Sequence, residues 1–194
     1  MQPRRTVEQY RIIDLSLFAL ILIIFETILN RAAASWFPNE PWTVSLTAAV
    51  TAIVMIRWGL WAVIHAVIGG IVFCTVNHGQ WQQYLIYCLG NTAVLAVFPL
   101  VRKLGWKKLS EDFLLKLLYS VLTVFAMQAG RVVIAMILGT APAAAAGFIT
   151  TDAATYIFTA VIIWIMSRLD GLTEDQRHYL KRINDPTNGE GGIA

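Results

Sequence analysis

Long apolar runs constrain this chain more than any other feature. A helix needs roughly 20 mostly apolar residues to cross the hydrocarbon core of a bilayer. Six runs approach or meet that length: about Ile12–Leu29, Val44–Ile56, Leu60–Val76, Tyr84–Val101, Leu114–Leu138 and Phe148–Met166. The second is the shortest and carries Ser45, Thr47 and Thr51. Only Arg57-Trp58-Gly59 separates it from the third, so either a tight turn or a broken helix pair stands there. Hydrophobic residues make up 57% of the 194 positions and charged residues 14%. Soluble domains hold about 45–50% and about 25%. A water-soluble core of this size could not hide so much apolar surface, so the expected fold is all-α and polytopic, with six transmembrane helices in one domain over residues 1–169. The run after Met1-Gln2-Pro3-Arg4-Arg5 exceeds a signal core and reads as a retained first helix.

The distribution of basic residues sets the expected orientation. With the N-terminus in the cytoplasm, 13 of the 15 Lys and Arg fall on the cytoplasmic side, leaving Arg31 and Arg131. Short cytoplasmic loops attract such an excess. Both termini are therefore expected in the cytoplasm, in a multi-pass cell-membrane protein. Tryptophans at both sets of span ends match interfacial belts. Trp36 is either such an anchor or a cover for a ligand. Residues 170–194 read as a cytoplasmic tail: Thr173 and Gln176 suggest a capped short helix from Glu174 to about Asn184, and Asn188-Gly189-Glu190-Gly191-Gly192 a flexible end.

No catalytic motif, metal-ligand spacing or phosphate-cradling loop is present, so neither an enzyme nor a resident cofactor or metal is expected. Basic residues sit only beside apolar runs, which argues against nucleic acid as a partner. Cys74 and Cys88 lie at similar depth on consecutive spans; free thiols and a bridge both stay open.

The informative residues are polar groups at membrane depth, where ionisable side chains are costly and face a protein interior or cavity. Glu26, Arg131 and Asp152 all fall in the outer half, where Arg131 is expected to pair with one of the two carboxylates. Tyr84, Tyr87 and Asn91 share one helix face, as do Gln128 and Arg131, and Asp152, Tyr156 and Thr159. Such stripes build either a small-molecule pocket or interhelical glue. His65 reads as a structural histidine and His78 as a turn residue. Ala62, Ala66 and Gly70, with Ala48 and Ala52, form small-residue faces for close packing or for a partner helix.

This layout resembles the substrate-binding S component of energy-coupling factor transporters. The resemblance covers roughly Tyr10 to Leu169. It rests on the long first span, the outer loop Arg31–Trp42, the turn Arg57-Trp58-Gly59-Leu60-Trp61-Ala62 followed by Gly69-Gly70, and the basic loop Arg102–Lys108. The family's Ala-x-x-x-Ala docking pattern on the first helix is not met; Ser16 and Ala19 are the small residues there. The resemblance implies capture of a vitamin or related micronutrient, with a coupling transmembrane subunit and ATPase subunits as partners. It also implies a site on helices four to six under the first outer loop. The alternative is a membrane scaffold or assembly protein without a ligand.

Overall fold

The computed structural model of the chain describes residues 6–38, 43–169 and 176, and among these it is helical without a strand. Helix α1 (Val7–Trp36) begins at a reciprocal cap: the Thr6 hydroxyl accepts the Gln9 N–H at 3.3 Å, and the Gln9 side chain accepts the Thr6 N–H at 3.0 Å. It outlasts the expected span at both ends. The segment Arg31–Trp36, expected as outer loop, is its last turns, because the good helix formers Ala32-Ala33-Ala34 prolong it. Its buried residues Leu15, Phe18, Leu22, Glu26 and Asn30 form one stripe, while Ile12, Leu17, Leu20, Ile24 and Ile28 face outward.

Helix α2 (Thr47–Trp58) is buried at every one of its 12 residues. At about 1.5 Å per residue it is about 18 Å long. Gly59, at φ 63°, ends it in a conformation that strains residues with a Cβ. A 3-10 turn, Gly59–Trp61, leads into α3 (Ala62–Val76). Helix α3 returns along α2: a Cβ on Gly69 would overlap the Thr47 side chain. Of the two readings of Arg57-Trp58-Gly59, the tight turn is therefore the one present. The small faces pack inside the bundle, with Ala48, Ala52, Ala62 and Ala66 buried and a Gly70 Cβ only 2.9 Å from the Tyr87 and Cys88 backbone.

Helix α4 (Trp81–Asn91) passes into a 3-10 segment, Thr92–Val97, and then α5 (Phe98–Leu104). Pro99 lacks the N–H that would bond Leu95 in an unbroken α-helix, which accounts for the change in winding. After Gly105 (φ 74°), α6 (Trp106–Glu111) leads to α7 (Phe113–Ile137), capped by the Asp112 carboxylate on the Leu114 N–H at 2.9 Å. Short helices α8 (Pro142–Ala145) and α9 (Gly147–Thr150) precede α10 (Ala153–Met166).

Five stretches are long and apolar enough to cross a membrane: Val7–Trp36, Thr47–Val76, Trp81–Leu104, Phe113–Ile137 and Pro142–Met166. The second contains the reversal at Gly59. Large apolar side chains cover the outside while much of the polar and charged complement is inside. That inversion of the soluble pattern marks a multi-pass membrane protein.

Side-chain contacts identify the two ends of the bundle. At one, Arg57 forks Asp14 through Nε and Nη2, both at 2.8 Å, and the Trp58 indole N–H donates to the same carboxylate at 2.6 Å. Lys116 donates to the Ser167 hydroxyl at this end, at 3.2 Å. At the other end the Asn77 side-chain amide donates to Asn30 Oδ1 at 3.1 Å. Helix α2 is the central post, touching α1, α3, α7 and α10; the Tyr119 hydroxyl of α7 donates to the Ala52 carbonyl at 2.7 Å. Cys74 and Cys88 are free thiols. Of the expected tail helix only Gln176, helical and buried, falls among the described residues; the rest lies outside them.

Helices α4 and α7 cross at Gly90 and Gly130, and a Cβ on Gly130 would collide with the Gly90 carbonyl oxygen. Backbone cannot give way as a flexible side chain does. Gly130→Ala is expected to lower stability by about 1–3 kcal/mol. Gly147 has open space around its Cβ position, so Gly147→Ala should stay within about 0.5 kcal/mol. Thermal unfolding of the two variants in detergent makes the comparison.

Candidate functional site

The site is assembled around the segment that enters α2. Thr43, Val44 and Ser45 are non-helical and lie between α1 and α10. The Thr43 N–H bonds the Thr151 carbonyl at 3.1 Å, and its hydroxyl donates to Asp152 Oδ1 at 3.2 Å. The Ser45 N–H donates to the Thr155 hydroxyl at 3.1 Å. The Ser45 hydroxyl donates to Glu26 Oε1 at 2.7 Å, and the Leu46 N–H donates to Glu26 Oε2 at 2.7 Å. Helix α2 begins at Thr47, whose N–H is taken by the Ser45 hydroxyl at 3.1 Å. Glu26, fully buried, thus acts from another helix as a carboxyl cap on α2. The first N–H groups of a helix are unpaired within it and favour negative charge.

Arg131 is the other pole. Of the two carboxylates considered for it, it pairs with Asp152, Nη1 to Oδ2 at 3.0 Å. Its Nε donates to Asn91 Oδ1 at 2.7 Å, and the Asn91 amide donates onward to the Ala66 carbonyl at 3.0 Å. The guanidinium lies 4.6 Å from the Tyr87 ring centroid. Tyr87 stacks on Phe73 at 4.4 Å and meets Phe148 edge-on at 5.8 Å. One chain of polar contacts therefore joins α1, α3, α4, α7 and α10 through the Thr43–Thr47 strap.

Tyr87, Asn91, Arg131 and Asp152 enter this layer as their helical spacing suggests, and Glu26 as its depth does. One turn deeper, the Tyr156 hydroxyl donates to Gln128 Oε1 at 2.5 Å. Thr159 is fully buried there without a hydrogen-bond partner among the described residues. Two of the sequence candidates stand apart. Tyr84 shares a hydrogen bond with Thr75 at 3.1 Å. Trp36 is the last residue of α1 and 74% exposed. The sequence reading missed Thr43, Ser45 and Thr155, and also Asn30, which donates to Glu26 Oε1 at 3.3 Å. The alternation Thr43-x-Ser45-x-Thr47 was the available signal; it is the polar edge of a strap, not a weakness in a span.

Thr43, Ser45, Thr47, Gly69, Phe73, Tyr87, Asn91, Arg131 and Asp152 line a cavity of about 10 Å³. That is about the room one water molecule needs. A much larger groove, about 770 Å³, runs outside between α4–α5 and α7, past Leu89, Ala93, Leu100, Phe125 and Gly130. Its lining is apolar apart from Thr92, so it offers no orienting chemistry. His65 Nε2 lies 3.0 Å from the Leu15 carbonyl, a helix-to-helix tie, and His78 occupies its turn at φ 54°. Among the described residues no three His, Cys, Asp or Glu side chains gather as metal ligands.

Loss of one partner from a buried ion pair strands the other charge. Arg131→Met is expected to cost about 3–5 kcal/mol, and the double variant Arg131→Met/Asp152→Leu to recover most of that loss. A double-mutant cycle by denaturation in detergent reads the coupling; strictly additive losses would contradict it. Comparisons with protein-family models, curated proteins and solved structures gave no match.

Proposed function

We propose that this chain is the membrane-embedded substrate-binding subunit of an ATP-driven importer for a vitamin or related micronutrient. It crosses the cell membrane six times, with α2 and α3 as separate crossings and both termini in the cytoplasm. The orientation follows from Arg57, Lys116 and the other basic positions of that end, read by the positive-inside rule.

The observation that supports ligand binding is the buried Arg131–Asp152–Asn91 layer roofed by the Thr43–Thr47 strap. Charged groups at membrane depth are characteristic of substrate pathways. The strap is held by side-chain hydrogen bonds to Asp152, Thr155 and Glu26 and by the Thr43 N–H on the Thr151 carbonyl, each replaceable by water or by ligand. Entry of a solute requires those bonds to release and the one-water cavity to widen. The chain has no phosphate-cradling motif, so a partner ATPase and a coupling membrane subunit supply the energy.

A second reading, a scaffold without a ligand, is favoured by the small cavity and by the partners that each buried carboxylate already has. The two part company in a thermal-shift screen of vitamins and precursors, since a ligand that binds only the folded state stabilises it by mass action. The importer reading expects a stabilising compound whose effect Arg131→Ala removes, together with loss of its uptake in cells. No stabilising compound, uptake indifferent to Arg131→Ala, and co-purification without an ATPase would favour the scaffold.

Orientation has its own check. In a background of Cys74→Ala and Cys88→Ala, Lys103→Cys is expected to react with a membrane-impermeant thiol reagent only after the cell is opened. Gly139→Cys is expected to react from outside. Labelling of both from the same side would overturn the topology.

A further inference from the structure

Hydrogen-bond capacity in and below the polar layer is unevenly filled. Every carboxylate oxygen already accepts. Asp152 Oδ1 takes the Thr43 and Thr155 hydroxyls and Oδ2 takes Arg131. Glu26 Oε1 takes Ser45 and Asn30, and Oε2 takes the Leu46 N–H. Of the groups left over, the nitrogens beside Arg131 are donors. Arg131 uses Nε and Nη1, and its Nη2 makes no hydrogen bond among the described residues. One helical turn away on the same face, Gln128 Nε2 is buried with no partner among the described residues. Thr51 and Thr159, on the helices flanking it, carry buried hydroxyls, able to donate or accept, that are also without a partner among the described residues.

Charge narrows the choice further. Arg131, Asp152 and Glu26 sum to −1 when both carboxylates are ionised and to zero when Glu26 is protonated. Neither state leaves positive charge for an anion to neutralise. A cation would have to share each carboxylate oxygen with a donor already on it. An unmet buried donor such as Gln128 Nε2 costs about 1–3 kcal/mol, so the molecule that relieves it brings acceptors without bringing charge.

Resting on the ligand-binding reading, we infer that the site selects an uncharged ligand presenting carbonyl or ring-nitrogen acceptors, received by Arg131 Nη2 and Gln128 Nε2. Gln128 is then a specificity-determining residue: it faces the ligand with its amide N–H while Tyr156 fixes its orientation by donating to its carbonyl oxygen. The wild-type protein in detergent is tested by thermal shift against benzamide, benzoate and benzamidinium, which share a shape and differ in charge. Benzamide is expected to raise Tm by about 2–4 °C, with smaller shifts for the two ions. Gln128→Leu, or Gln128→Glu should the first fail to fold, is expected to abolish the benzamide shift. A larger shift with benzoate or benzamidinium, a benzamide shift that survives both variants, or no shift with any of the three overturns this inference. The vitamin screen and the uptake assay judge ligand binding separately, so the inference and the reading beneath it fail on different measurements.

Discussion

The buried ion pair between Arg131 and Asp152 is the contact from which the rest of this bundle's polar architecture follows. In a bilayer no water reaches the interior to solvate a stray charge, so each partner must be satisfied by protein. Arg131 reaches α4 through Asn91, and Asn91 reaches the α3 backbone. Asp152 draws in Thr43 and Thr155. Each link satisfies a group and ties another helix, so one pair organises four helices and the strap. Polar contacts of this kind orient helices in lipid, where apolar burial gives little preference for one helical face over another.

Two devices around that pair make the close approach feasible. The Gly90–Gly130 crossing brings the α4 and α7 backbones together directly behind Arg131, whose own backbone nitrogen would lie 2.6 Å from a Cβ at Gly90. The Gly69–Thr47 contact seats the start of α2 against α3. Helix α2, too short to reach across the hydrocarbon core unaided, is enclosed by its neighbours and capped by Glu26. Its Thr51 and the Ala52 carbonyl therefore meet protein instead of lipid. The opposite end is closed by a separate cluster, Arg57, Asp14 and Trp58, which fixes how α1 and α2 meet. The bundle is polar at both closures and apolar outside.

The strap from Thr43 to Leu46 connects these arrangements to the proposed activity. It bonds both acidic residues of the layer, Glu26 on α1 and Asp152 just before α10, and forms part of the cavity wall. A displacement of the strap would expose both carboxylates and Arg131 together. The unmet donors beneath, on Gln128 and Arg131, give a reason for a solute to take its place.

Run length and apolar content were enough to establish a helical membrane protein, and helical spacing the shared faces that carry Tyr87 with Asn91 and Asp152 with Tyr156; at Gly59 they left a reversal and a broken helix pair both open. These are local properties: period, length and a glycine's freedom at positive φ are written in neighbouring residues. Partner choice was not local. Whether Arg131 met Glu26 or Asp152 depended on which helices abut. That depended in turn on glycine contacts between residues about 40 positions apart, such as Gly90 and Gly130. The sequence likewise could not place Trp36 outside the layer, since α1 runs on through Ala32–Ala34, nor recruit Thr43 and Thr155. The sequence by itself determined the solvent, the helices and the faces on which polar groups lie; only the tertiary structure decided which of those groups touch, because contact is set by packing between segments distant in the chain.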